Sequence, residues 1–233
     1  MKRIHKIIIS ALVIFFVVGC GQQQQRTAND IVTEYPENAK VVFENDYVKA
    51  VEFMLEPGDK LPLHKGGKRV VYALSDYKVK WTEGDETSEK EWQKGDAHWH
   101  DAIEHAIENI GDTIASYMVV MRKDALLPET GEYDLSRDAS QLDSEHSKII
   151  FDNEHVRLIG VTLGSGESQP KHEGIYRLIY SLSDYKIEYT YNETNTVESQ
   201  MEKGYVHWHA PDRHSVKNIG DPPAHYLIFA FKK

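Results

Sequence analysis

Most of this chain consists of short runs in which β-branched and aromatic residues alternate with polar ones. "VVFEND" (41–46) and "VKAVEFML" (48–55) read as strands, and "EPGDK" (56–60) reads as the turn that follows them. "RVVYALS" (69–75) and "YKVKWT" (77–82) continue the pattern, then a charged turn at 83–90 precedes a strand leaving "KGD" (94–96). "HAIEN" (105–109) and "ASYMVVM" (115–121) complete the set. No window sustains a period of 3.6, so helices do not organise the fold. Many short strands at this spacing predict an all-β sandwich or barrel.

One stretch breaks the pattern. Ile7 to Gly19 is apolar and follows Lys2, Arg3 and Lys6, the marks of a secretory signal over residues 1–19. A bilayer span needs roughly 20 apolar residues, so the run is short for that role. Val17-Val18-Gly19-Cys20 resembles a bacterial lipobox, which implies cleavage before Cys20 and lipid attachment to it. Cys20 is the only cysteine, so no disulfide forms within the chain. Residues 20–38, with Gln22 to Gln25, read as a polar tether. The expected location is therefore extracytoplasmic, in the periplasm or cell envelope, with the membrane contacted through the N-terminal lipid. The chain has 27 Lys and Arg against 37 Asp and Glu, and loses three cations with the signal. Such an acidic body repels phosphate backbones, which argues against nucleic acid as a partner.

The chain also repeats itself. "KVVFENDYVKAVEFMLEPGDKLPLHKGGKRVVYALSDYKVKWT" from Lys40 aligns without a gap on "KIIFDNEHVRLIGVTLGSGESQPKHEGIYRLIYSLSDYKIEYT" from Lys148. One extra residue in the second copy's charged turn restores the match from Lys94 and Lys203 onward. Each unit is long enough for a core of its own, so two similar domains are expected, 39–124 and 147–233. Residues 125–146 have the Pro, Gly, Asp and Ser of a linker, with room for a short helical turn.

Gly58-x5-His64, a strand, a variable turn, then Lys94-Gly95-Asp96 leading to His105-x3-Asn109 resembles the two-motif signature of cupins. Gly166-x5-His172 and Gly204 to His214-x3-Asn218 repeat it. "VVYALS", "HAIENIGD" and "HSVKNIGD" are particularly similar to small cupins of the β-alanine-degradation type. The resemblance implies a bicupin: two tandem jelly-roll β-barrels, each with a pocket at its mouth. It does not imply one function, because the family includes dioxygenases, isomerases, sugar binders and storage proteins.

Metal-binding cupins take three ligands from an H-x-H-x(3,4)-E or H-x-H-x2-H pattern and a fourth from the later histidine. Here that pattern falls on His64, Gly66, Arg69 and His105, and again on His172, Gly174, Arg177 and His214. Glycine has no ligand atom and arginine no lone pair, so the inherited site is incomplete in both copies. His98 and His100 in "HWH", and His207 and His209 in its copy, share a strand face. If that face is interior, His64, His98, His100 and His105, or His172, His207, His209 and His214, form an all-histidine site for a divalent transition metal. The competing reading is a pocket for a small anion. Arg69 and Arg177 would clamp a carboxylate, with His64, His105, His172 and His214 as neutral or charged donors. A surface salt bridge is the plainer alternative for both arginines.

Strand parity puts Tyr72 and Tyr180 on the opposite face, in packing. Trp99 and Trp208 read as packing residues, Ser75-Asp76 and Ser183-Asp184 as turn chemistry, and His146, His155 and His225 as solvated. Three functions stay open: a lipid-anchored binder of a small carboxylate, a metal-dependent oxygenase or isomerase, and a structural envelope protein with vestigial pockets. The assembly expected is a monomer or homodimer, because barrels that pair through outer sheets can do so within one chain.

Overall fold

A computed structural model describes residues 30–192 and 194–232. The signal segment, Cys20 and the tether up to residue 29 lie outside the described residues. The first unit contains β1 (Ala39–Glu44), β2 (Val48–Leu55), β3 (Lys60–Gly66), β4 (Arg69–Ala73), β5 (Tyr77–Glu83), β6 (Glu86–Trp92), β7 (Ala97–His100), β8 (Ile103–Asn109) and β9 (Ala115–Arg122). The second contains β10 (Ser147–Asp152), β11 (Val156–Leu163), β12 (Ser168–Gly174), β13 (Arg177–Ser181), β14 (Tyr185–Tyr191), β15 (Asn195–Met201), β16 (Val206–His209), β17 (Asp212–Asn218) and β18 (Ala224–Phe231). In each, a five-stranded antiparallel sheet (β1-β2-β9-β4-β7, or β10-β11-β18-β13-β16) faces a four-stranded one (β3-β8-β5-β6, or β12-β17-β14-β15). Every pair is antiparallel, and the two units repeat the same strand order.

Strand β4 shows how sequence parity builds this arrangement. All five of its residues are buried, because the strand is covered on both faces. Val71 and Ala73 point into the first barrel's own core with Phe53, Leu61 and Tyr117. Val70 and Tyr72 point outward into a core shared with Leu158, Leu178, Tyr180 and Phe229 of the second unit. The two barrels therefore pack back to back through their five-stranded sheets. Each large apolar side chain buried this way contributes about 1.5–3 kcal/mol. Tyr180 donates across the junction to Glu52 Oε1 at 2.7 Å, and Arg122 to the Lys232 carbonyl at 2.7 Å. Trp208 stacks on Phe43 and Tyr47, and Trp99 lies against His155, so His155 belongs to the junction rather than to solvent.

Three further places differ from the sequence reading. Residues 30–38 are not all tether: Asp30 caps a helical turn, α1 (Ile31–Glu34), and Ile31, Val32 and Tyr35 pack against the first core. Asp138 caps the matching turn, α2 (Ala139–Leu142), so the duplication begins upstream of Lys40 and Lys148. Four-residue helices are too short to show periodicity. The charged stretch 83–90 is mostly strand, with β5 and β6 joined tightly at 84–85. Its exposed Glu, Lys and Thr side chains are typical of a protected edge strand, and they conceal the alternation. His146 and His225 also have partners, the Asp143 carboxylate and the Thr162 hydroxyl. Among the described residues no helix is long and apolar enough to cross a membrane.

Candidate ligand pocket

The pockets open between the two sheets of each barrel, and local irregularities set their walls. Between β3 and β8 the register slips: Leu61 pairs with Ile107 and His64 with His105, so Pro62 and Leu63 oppose Ala106 alone. Such a bulge re-aims the side chains beside it. Here the Pro62 carbonyl turns to accept from His64 Nδ1 at 2.8 Å. The second barrel repeats the contact between Pro170 and His172 Nδ1 at 2.9 Å. Both imidazoles use their proton on backbone and present an Nε2 lone pair, so neither is the ligand donor expected from sequence. Asn109, the last residue of the cupin motif, is structural. Its amide donates to the Leu55 and Thr113 carbonyls, both at 2.8 Å, and it is 1% exposed.

The cavity of the first barrel is about 380 Å³ and is lined by His64, Arg69, His98, His100 and His105 on an apolar and aromatic wall, with Glu83, Glu86 and Lys90 also in its lining. Arg69 is buried, and so is Arg177 in the second barrel, so neither lies on the surface, although Arg177 does pair with an acidic neighbour, Asp212. Arg69 Nη1 donates to the Gly67 carbonyl at 2.9 Å, and its Nη2 lies 3.3 Å from His105 Nε2. A methyl group at Gly66 would sit 2.3 Å from Arg69 Nη1, and one at Gly174 2.3 Å from Arg177 Nη1. The two departures from the metal pattern are therefore one coupled change. The glycine vacates the second ligand position and the guanidinium fills it, beside the first and last histidines.

His98 and His100 do face the interior, opposite Val71 and Arg69. They do not complete an all-histidine site. His64 pairs with His105 (ring centroids 4.3 Å apart) and His98 with His100 (4.8 Å). Trp81 stacks on both His105 and His100, at 4.1 and 4.6 Å, and Trp92 stacks on His98 at 3.7 Å. In the second barrel Tyr189 stacks on His214 and tilts against His209. Two imidazole pairs held by aromatic faces are thus present, and among the described residues no group of three or more His, Cys, Asp or Glu is placed to hold a metal. The structure thus does not bring His64, His98, His100 and His105, or His172, His207, His209 and His214, together as one ligand set among the described residues. A divalent ion does not fit a donor set with a guanidinium at its centre.

Burial, then the charge of neighbouring cations, keeps the imidazoles neutral. His98 is held down to about 3 and His100 to about 4, with His207 at about 4 and His209 at about 3. Burial first, then Arg69, also holds His105 far below the usual range. Burial lowers Arg69 itself to about 10, which leaves it cationic at neutral pH.

The barrels differ at one carboxylate that sequence reading missed. Asp212 Oδ1 accepts from Arg177 Nη2 at 2.8 Å and from His214 Nδ1 at 2.9 Å, and Tyr189 donates to Oδ2. Burial raises the Asp212 pKa, but the bonds to His214, Arg177 and Tyr189 outweigh it and keep the carboxylate ionised. Arg69 has no carboxylate within ion-pair distance among the described residues. Asp212 lies two residues before His214, so strand parity alone could have placed it on the pocket face.

No protein-family model and no curated protein matches this sequence. Solved structures do. The chain is similar to AerE from Microcystis aeruginosa at 16% identity, over 84% of this chain and 98% of that one, with a TM-score of 0.59. It is similar to a single-substitution variant of oxalate decarboxylase from Bacillus subtilis at 14% identity, over 83% of this chain and 72% of that one, with a TM-score of 0.61. The fold is that of a bicupin. At these identities the likeness establishes the architecture, and the pocket chemistry must be read from this chain. Bacillus subtilis oxalate decarboxylase is described as having Mn(II) centres. This bicupin has arginine at the corresponding place in the ligand pattern.

Proposed function

We propose that this bicupin is a lipid-anchored, extracytoplasmic binder of a small carboxylate-bearing anion, taken up in its His/Arg-lined barrel pockets. The observation that carries the reading is Arg69, a guanidinium only 4% exposed, in a cavity of about 380 Å³, with no carboxylate within ion-pair distance among the described residues and Glu83 acting on it only at longer range. A buried charge without a direct ion pair is costly to maintain, and its natural complement is an anionic ligand bound through paired N–H donors. His64 Nε2 and its counterpart on His172 accept hydrogen bonds from a ligand hydroxyl or a bridging water. Apolar and aromatic walls exclude solvent and strengthen the ion pair. The N-terminal signal and Cys20 support the anchor, and the acidic surface suits a soluble body outside the cytoplasm.

The test is a thermal-shift panel of small mono- and dicarboxylates on the detergent-solubilised chain. At least one acid should raise the melting midpoint of the unaltered protein, and Arg69→Met should remove the response. A panel without any response, or a response that survives Arg69→Met, rejects the reading. Globomycin-sensitive processing and radiolabelled palmitate at Cys20, lost in Cys20→Ser, test the anchor separately.

A further inference from the structure

The two barrels treat the same polar positions in opposite ways. Asp212 pairs with Gly174 in the sheet register, and the first barrel has Ile103 opposite Gly66 at that place. Among the described residues, Arg177 is thus matched by a carboxylate of its own chain and Arg69 is not. A second difference runs the same way. Tyr226 donates to Gln169 Oε1 at 2.8 Å, and Gln169 reaches Ser147 Oγ at 2.7 Å. The equivalent Tyr117 is 5% exposed and its hydroxyl has no hydrogen-bond partner among the described residues, because Leu61 and Ala39 stand where Gln169 and Ser147 would. A third follows. The Tyr185 and Ser181 hydroxyls lie 3.1 Å apart, whereas Tyr77 has Ala73 at the serine position. At these three positions the second barrel gives its arginine and its tyrosines partners within the chain, and the first leaves an arginine and a tyrosine facing one cavity.

We infer that Asp212 is the permanent occupant of the second barrel's anion site, standing where a ligand carboxylate sits in the first. The chain then binds one ligand, in the first barrel. This rests on the carboxylate reading above and narrows it to one site and one kind of acid. Arg69 pairs with Met121 and Ala73 with Tyr117, so the backbone positions that carry the two polar groups are four residues apart, roughly 13 Å along β4, and both side chains reach into the cavity between. Arg69 takes the carboxylate. Tyr117, kept neutral by burial, donates to a hydrogen-bond acceptor at the ligand's other end. The ligand class is a small acid with a distal carbonyl or ether oxygen and an apolar body.

Titration calorimetry on the full chain in detergent tests this with acids matched in shape: 5-oxohexanoate against 5-methylhexanoate, and 4-acetylbenzoate against 4-isopropylbenzoate. One acid should bind per chain. The oxo member of a pair should bind about tenfold more tightly, a preference lost in Tyr117→Phe. Ile103→Asp should abolish binding, and Asp212→Ala, or Asp212→Asn should the first fail to fold, should raise the stoichiometry to two. Without any ligand, Ile103→Asp should raise the melting midpoint and Asp212→Asn should lower it. Two acids bound by the unaltered chain, or an oxo preference that survives Tyr117→Phe, overturns the inference. If acids bind but Asp212→Asn changes neither stoichiometry nor midpoint, the internal occupant fails and the carboxylate reading stands. If both midpoints move as stated and no acid binds, the carboxylate reading fails and the internal occupant stands.

Discussion

Arg69 and Arg177 occupy equivalent positions and are almost equally buried, yet replacing them should have opposite effects on stability. Arg69→Met removes a buried charge that has no direct ion pair and leaves apolar volume, so the unfolding free energy should stay level or rise, by up to about 3 kcal/mol. Arg177→Met strands the Asp212 carboxylate and should destabilise by about 3 kcal/mol or more. Chemical denaturation of the two variants checks the signs, and a similar loss in both would show that Arg69 has an unrecognised partner. Gly66 is bound to the same feature: Gly66→Ala places a methyl against the guanidinium and should cost ligand affinity without unfolding the chain. Restoring the family pattern H-x-H-x2-H with Gly66→His and Arg69→His should create a metal site with His64 and His105, detected as bound zinc or manganese in dialysed protein. The missing ligands at Gly66 and Arg69 were legible in the sequence. That the one makes room for the other was not, because spacing gives no side-chain path. Trp81, which stacks on two histidines, was legible only as a strand residue of "YKVKWT".

At the scale of elements, the strands announced themselves wherever one face was apolar. The β5–β6 hairpin did not, because the residues of β6 before Trp92 are exposed on both faces and their charges carry no alternation. The bulge at Pro62-Leu63 was equally hidden: a one-residue slip changes pairing and not composition. Asn109 anchors the turn after β8 with two buried donations, and its Oδ1 accepts from Gly111 N at 3.0 Å. Asn109→Ala should destabilise by about 2–4 kcal/mol, summed over the acceptors left unpaired. Urea unfolding measures this, and a change under about 1 kcal/mol, the worth of a single exposed bond, would contradict the anchoring role.

Across the whole molecule, duplication has been used for two ends. The outer faces of the five-stranded sheets cover one another, and the inner faces keep two cavities of different character. The repeat made the two-barrel architecture readable from sequence. The asymmetry rests on single substitutions within it, Ile103 against Asp212 and Leu61 against Gln169, whose meaning depends on which face they share. The buried imidazoles also set a pH response. Their folded pKa values lie below the ordinary 6.5, so unfolded chains take up protons first as pH falls. Stability should be full above pH 6.5 and decline below it, by about 1.4 kcal/mol per pH unit for each such histidine until its folded value is reached. Melting midpoints between pH 7.5 and 5 check the slope, and a midpoint that rises on acidification would contradict it. The most direct test of the central claim, that a guanidinium stands where the fold family places a metal, is elemental analysis of the purified chain after dialysis against manganese, iron and zinc. The expected result is far less than one metal per chain, unchanged by His105→Ala and His214→Ala. Stoichiometric metal that disappears with those two substitutions would contradict the claim.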